Sequence, residues 1–276
     1  MKTSVYKSEA QKSAFRATYR QFLATMPFAR RMIETPYGET FLLEAGNPAH
    51  PPVLLLHGSC SNSAFWFGDI LALSPHYHVF AADIPGEAGN SSEYRLSLDN
   101  EDYAEWMHSL LDALQLPNIS LAGNSLGGWM ALKFATAYPE RVDQLMLFAS
   151  GGLAEIHPDY LDKAQAAEES GESLTFDEDV TGGISLPKEI LDFMNLILAS
   201  YDPINVPLPV FSGEQLKRLT MPVLYVAGLN DDLLDTKAGE NALRKSVPHA
   251  TIHLLPEAGH MIVTPYEWMV PFLAKA

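Results

Sequence analysis

The sequence has a single cysteine, Cys60, so no disulfide can close within the chain. A lone thiol offers none of the framework that secreted domains use, and nothing in it points to an oxidising compartment. Basic residues are also scarce: 18 Lys and Arg face 34 Asp and Glu, for a formal charge of -16. Nucleic acid and anionic membrane surfaces both need a basic footprint, so neither is expected as a partner. No apolar run is long enough to span a bilayer. The first residues set Lys2, Lys7, Lys12, Arg16 and Arg20 among Ser, Thr and Gln, and they lack the apolar core of a secretory signal. The expected location is cytoplasmic. Internal repeats and low-complexity tracts are absent.

Apolar residues are plentiful. They make up 47% of the chain against 19% charged, enough to bury a sizeable core in one large domain or two small ones. The chain is organised around residues 118–140. Residues 119–122 are a short apolar run, read as a buried strand. Residues 126–138 have helical spacing, with Leu126, Met130, Leu132 and Phe134 for packing and Pro139 as a stop. Between them, Gly123-Asn124-Ser125-Leu126-Gly127 fits G-x-S-x-G. A serine at the apex of a strand-to-helix turn is held strained, with its hydroxyl pushed out of the sheet. The helix start beside it leaves backbone N–H groups free to meet a developing negative charge. Alone, the pentapeptide is a weak motif that an ordinary small-residue turn also satisfies. The flanking strand and helix give it weight.

The rest of the chain supplies a frame for that turn. Residues 8–24 read as a helix, with Phe15, Tyr19, Phe22 and Leu23 on one side, packed on its own domain rather than on another subunit. Residues 32–35 and 40–44 read as a hairpin turning at Tyr37-Gly38-Glu39. Apolar strands are expected at 53–56, 77–84, 142–149, 223–227 and 251–255, and helices at 64–73, 100–116, 237–247 and 266–274. Strand and helix alternate, which predicts a mostly parallel sheet with helices on both faces and a ligand site at the carboxyl strand ends.

Between residues 153 and 219 the pattern changes. A strongly acidic stretch runs from Glu155 to Asp179, followed by an apolar helix over 188–199 and a proline-rich run through Pro203, Pro207 and Pro209. This reads as a cap over the strand ends. The carboxylates lack a compact ligand spacing and no histidine cluster joins them, so a solvated face is expected there and no metal. The acidity disfavours a strongly anionic substrate. Phe193, Met194, Leu196 and Ile197 suit an apolar acyl pocket and a plain packing face equally well.

A serine hydroxyl needs a base within hydrogen-bond reach, and histidine has the pKa for it near neutrality. The histidine needs a carboxylate on its other nitrogen. Nine histidines are present, so position must choose among them. His260 follows the last strand beside Gly259, and Asp231 follows the strand before. In a parallel sheet both reach the edge that carries Ser125, in the chain order Ser, Asp, His.

Five pieces in this order resemble the α/β-hydrolase family: His57-Gly58 after an apolar strand, Asp83-x-x-Gly86 followed by Gly89-x-Ser91, the Gly-Asn-Ser-Leu-Gly elbow, Gly228-x-x-Asp231 and Gly259-His260. The resemblance covers the chain from about residue 35 onward. Within the family it is to bacterial carboxylesterases of the Nap type, which also carry an N-terminal helical extension. It implies an α/β-hydrolase fold with a mostly parallel eight-stranded sheet. Residues 1–30 would be the extension, 31–152 and 220–276 the core, and 153–219 a helical cap inserted between the sixth and seventh core strands. It further implies Ser125 as nucleophile, His260 as general base and then acid, Asp231 as the orienting carboxylate, and the backbone N–H groups of Ser59 and Leu126 as an oxyanion hole.

The family spacing Gly-x-x-Asp favours Asp231 over Asp232, with Asp235 third. His57 is expected to support the oxyanion loop through a backbone hydrogen bond, Cys60 to be inert, and Trp66 and Trp129 to pack. Where the family often has histidine after Asp-x-x-Gly, this chain has Glu87, with an extra residue before Gly89, which leaves the shape of that loop open.

A serine at the elbow implies an acyl-enzyme, and so a small-molecule ester substrate and no cofactor. Thioesterase, lactonase, carbon–carbon bond hydrolase and cofactor-free perhydrolase chemistry use the same triad. A non-catalytic binding protein on this fold has no need of all three residues. Oligomeric state, monomer or homodimer, stays open.

Overall fold

The computed structural model describes residues 4–157 and 186–275. Of the acidic stretch only Glu155 falls within them, so the expected solvated acidic face lies outside the described residues.

Among the described residues, eight strands form one sheet: β1 Ala29–Thr35, β2 Gly38–Ala45, β3 Pro52–Leu56, β4 His78–Ala82, β5 Ile119–Asn124, β6 Val142–Phe148, β7 Val223–Gly228 and β8 Thr251–Leu255. Their order is β1-β2-β4-β3-β5-β6-β7-β8. β2 is antiparallel to both its neighbours, and the strands from β4 to β8 pair in parallel. The chain steps from β3 outward to β4, then returns past β3 to β5. That reversal opens a crevice at the carboxyl ends of β3 and β5, where ligands bind in open α/β sheets.

The core explains the pattern of the sequence. Val53 to Leu56 are fully buried, as a central strand covered on both faces requires. Leu54 and Leu56 face one apolar layer and Val53 and Leu55 the other, following the twofold period of a strand. The first layer holds helices α3 Asp102–Ala113, α4 Leu126–Ala137 and α7 Thr236–Ser246. The second holds α1 Glu9–Ala24, α2 Phe67–Leu73, α8 Tyr266–Leu273 and α5 Lys188–Ser200; a short helix, α6 Gly213–Leu216, precedes β7.

Two helices differ from the sequence expectation. The span 64–73 is a 3-10 turn, Ser63–Trp66, followed by α2. Asn62 caps the turn by accepting from the Ala64 N–H, while the Ser63 N–H donates to Asp83 Oδ1 at 2.9 Å. The span 100–116 shrinks to α3. Asn100 turns back to accept from the Asp102 N–H, and Gln115, at φ 58, leaves the helical region.

The N-terminal helix packs on its own chain. Phe15, Tyr19 and Leu23 are buried, and Phe193 of α5 stacks on Phe22 at 4.6 Å between ring centroids and on Phe15, Tyr19 and Phe65 at 5.9 Å. Phe193 is therefore part of a packing face. Asp83 ties the same helix to the strand ends. It is fully buried and accepts from Tyr19 Oη at 2.9 Å, the Ser63 N–H at 2.9 Å and the Asn90 N–H at 2.7 Å.

A second buried acid, Asp69 of α2, accepts from the Tyr266 N–H at 2.7 Å and so anchors the start of α8. Burial pushes its carboxyl up to about 7, against the pull of the Tyr266 N–H and its own backbone. Folded protein therefore holds this proton at pH values where the unfolded chain has lost it. The associated stability is present below the unfolded pKa and is lost as pH rises through about 7. Asn keeps the acceptor without the charge. Asp69→Asn is expected to gain melting temperature over the wild type, with the gain growing by several degrees between pH 5 and pH 8 in thermal scans. A difference that stays constant with pH would contradict it.

Candidate active site

The turn from β5 into α4 sets the site. Ser125 sits at φ 52, ψ -112, a backbone conformation that costs energy for a non-glycine residue and persists only where the surroundings fix it. A Cβ on Gly127 would lie 2.1 Å from the Leu56 carbonyl oxygen, and one on Gly123 would lie 2.3 Å from the Gly127 carbonyl oxygen. No side chain fits at either place, which is why glycines flank the serine two residues on each side.

Three side chains meet there. Ser125 Oγ lies 2.9 Å from His260 Nε2, and His260 Nδ1 lies 2.8 Å from Asp231 Oδ2. A carboxylate can only accept, so Nδ1 carries the proton and Nε2 presents a lone pair to the serine hydroxyl. Asp231 is fixed in turn: its Oδ1 accepts from the Leu233 and Leu234 N–H groups, both at 2.9 Å, and its side chain is wholly buried. The histidine is partly exposed, as a group that must meet a substrate has to be. The rival acids point elsewhere. Asp232 is exposed, and Asp235 caps α7 by accepting from the Ala238 N–H.

The loop after β3 borders the serine. A Cβ on Gly58 would stand 3.4 Å from Ser125 Cβ, which puts the Gly58 backbone beside the serine. Leu126 opens α4, where first-turn N–H groups have no partner within the helix. His57 braces this loop. Its Nδ1 donates to the Gly58 carbonyl at 2.7 Å, and its Nε2 accepts from the Ile84 N–H at 3.0 Å. Burial lowers its pKa, which suits a neutral ring with one donor and one acceptor. It has the structural role expected of it, with both ring nitrogens engaged by backbone groups.

A family model described as the alpha/beta hydrolase fold matches residues 51–264. The chain belongs to this family. It is 27% identical over 267 residues to carboxylesterase YbfK of Bacillus subtilis, covering 90% of this chain and 88% of that protein. The crystal structure of that carboxylesterase, CesB (YbfK), superposes with a TM-score of 0.82 at 26% identity, covering 97% of this chain and 99% of that one. A naproxen esterase, carboxylesterase NP of the same organism, shares the fold with a TM-score of 0.79 at 24% identity, covering 98% of each chain.

The hydrolase's other candidates fall where packing puts them. Trp129 is buried, and its Nε1–H donates to the Pro209 carbonyl at 2.8 Å, so it holds the proline-rich run to the core. Trp66 is buried in the second layer. Cys60 stands at φ 57 beside Ser59, and burial pushes its thiol up to about 12, so it is not a nucleophile at neutral pH. Leu208, from the proline-rich run, approaches to 2.6 Å of where a Cβ on Gly151 would lie, and that same Cβ would be 3.6 Å from the Ser125 carbonyl oxygen. This approach of Leu208 to the backbone next to the serine carries no motif in the sequence. Nor does the cluster around Glu87, whose partners lie far along the chain. Among the described residues, no His, Cys, Asp or Glu cluster is arranged to hold a metal ion, and no helix is long and apolar enough to cross a membrane.

Proposed function

We propose that this hydrolase is a serine carboxylesterase acting on a small-molecule ester through an acyl-enzyme. The observation that carries the reading is the unbroken line of hydrogen bonds from Asp231 through His260 to Ser125. The named activity of its relative over most of both chains supports it.

In this reading Ser125 Oγ attacks the ester carbonyl carbon while His260 Nε2 takes its proton. Asp231 holds the ring and stabilises the imidazolium that forms. The carbonyl oxygen becomes an oxyanion between the N–H groups of Ser59 and Leu126, where each donor is worth about a hundred- to a thousandfold in rate. The intermediate collapses, the alkoxide leaves with the proton from His260, and Ser125 is left acylated. Water then attacks the acyl carbon, with His260 again taking a proton, and Ser125 is released.

Residues 153–219 act as the cap, resting on the core through Trp129 and Leu208, with 31–152 and 220–276 as core and 1–30 as the extension. With one thiol the enzyme suits the reducing cytoplasm.

Stopped-flow hydrolysis of p-nitrophenyl butyrate tests the intermediate. A burst of p-nitrophenol equal to the enzyme concentration, absent in Ser125→Ala, is the expected result. A Ser125→Ala kcat within about a hundredfold of the wild type would overturn the reading.

A further inference from the structure

Glu87 stands where the loop after β4 meets the loop after β3, and it is buried to 3% of its surface. Its Oε2 accepts from Tyr201 Oη at 2.5 Å and from Ser59 Oγ at 3.4 Å. Its Oε1 has no hydrogen-bond partner and lies 3.8 Å from Arg95 Nη2. Arg95 in turn donates to the carbonyls of Gly86 and Asp202 and lies over the Tyr201 ring. Tyr201 ends the cap helix α5 and bridges to Tyr6 of the N-terminal arm. One carboxylate thus joins the cap, the Gly-rich loop and the residue proposed as an oxyanion donor.

Burying a carboxylate is costly, and a glutamine would accept the same two hydroxyls without that cost. The charge therefore calls for a reason. A hydrogen bond to an ionised acceptor is roughly twice as strong as one to a neutral acceptor. An ionised Glu87 grips Ser59 and Tyr201 more tightly than a neutral one.

We infer that Glu87 is a positioning residue for ester hydrolysis, whose ionised carboxylate holds the Ser59 loop in the register its backbone N–H needs to meet the oxyanion. The inference rests on the reading of Ser59 as an oxyanion donor.

The groups facing Glu87 set the pH at which the grip loosens. Burial pushes its carboxyl up to about 7, while Tyr201 Oη, Arg95, Ser59 Oγ and the Cys60 backbone pull it down. The Cys60 thiol and, from α3, the Tyr103 phenol also face it, and both are held neutral by burial. Ionisation near neutrality makes the grip, and with it kcat, fall as pH drops. The acid limb of the wild-type kcat/KM profile therefore includes a proton that belongs to Glu87.

Glu87→Gln is expected to lower kcat on p-nitrophenyl butyrate by roughly ten- to a hundredfold, less than the loss of a donor outright. KM should stay within about threefold, and the acid limb should lose the proton that Glu87 contributes. Tyr201→Phe removes a hydrogen bond that favours the ionised form, so its acid limb should move to higher pH. This second variant keeps the test open if Glu87→Gln does not fold. Fluorophosphonate labelling separates the two ideas. A wild type that is not labelled at Ser125 defeats the underlying mechanism. A wild type and Glu87→Gln that are both labelled, with the same kcat and the same acid limb, defeat the role of Glu87. An unmoved acid limb in Tyr201→Phe defeats it as well.

Discussion

Ser125→Ala is expected to lower kcat on p-nitrophenyl butyrate by about a millionfold, and His260→Ala by the same order. At 1.36 kcal/mol per decade this is about 8 kcal/mol of barrier. The loss is large because the two groups act as one device. The serine hydroxyl is a poor nucleophile until Nε2, 2.9 Å away, takes its proton, and the histidine has nothing to activate without the hydroxyl. The double variant should therefore be no slower than either single one. Residual activity above water should remain, from the proposed Ser59 and Leu126 donors and from binding. Additive losses in the double variant would show that the residues act separately and would contradict the mechanism.

The second large effect falls on the acid. Asp231→Asn is expected to reduce kcat by about ten-thousandfold with the fold intact. Its Oδ1 already accepts two backbone N–H groups, from Leu233 and Leu234. An asparagine would keep its oxygen on those donors and turn its amide nitrogen toward His260 Nδ1. The ring must then accept on Nδ1 and carry its proton on Nε2, which points a hydrogen at Ser125 Oγ where a lone pair is needed. Geometry survives and basicity is lost. Asp232→Asn, at an exposed position next door, should leave kcat roughly unchanged. Steady-state kinetics on both variants decide the matter, and equal losses would reassign the acid.

The parts of this hydrolase that can be read in its sequence are those written in consecutive residues. The fully apolar 53–56 segment is typical of a strand buried on both faces, and the glycines around Ser125 mark backbone approaches that leave no room for a Cβ. Asp231 and His260 follow because a parallel sheet brings successive strand ends to one edge. Contacts between distant segments leave no such trace. Tyr19 reaching Asp83 and Tyr201 reaching Glu87 join residues separated by 64 and 114 positions. Neither tyrosine differs locally from one that only packs. Phe193 fits an acyl pocket or a core face until the rings of Phe15, Tyr19, Phe22 and Phe65 are seen around it. Helix ends moved for local reasons as well: a side chain competing for a backbone N–H at Asn100, and a left-handed residue at Gln115.

The most direct measurement of the central claim is the mass of the protein after treatment with a fluorophosphonate, followed by peptide mapping. The mechanism requires one adduct per chain, on the peptide that contains Ser125, formed rapidly in the wild type and absent from Ser125→Ala. It also requires that His260→Ala react far more slowly, because the hydroxyl has lost its base. An unmodified wild type, or an adduct on another residue, would show that Ser125 is not the nucleophile.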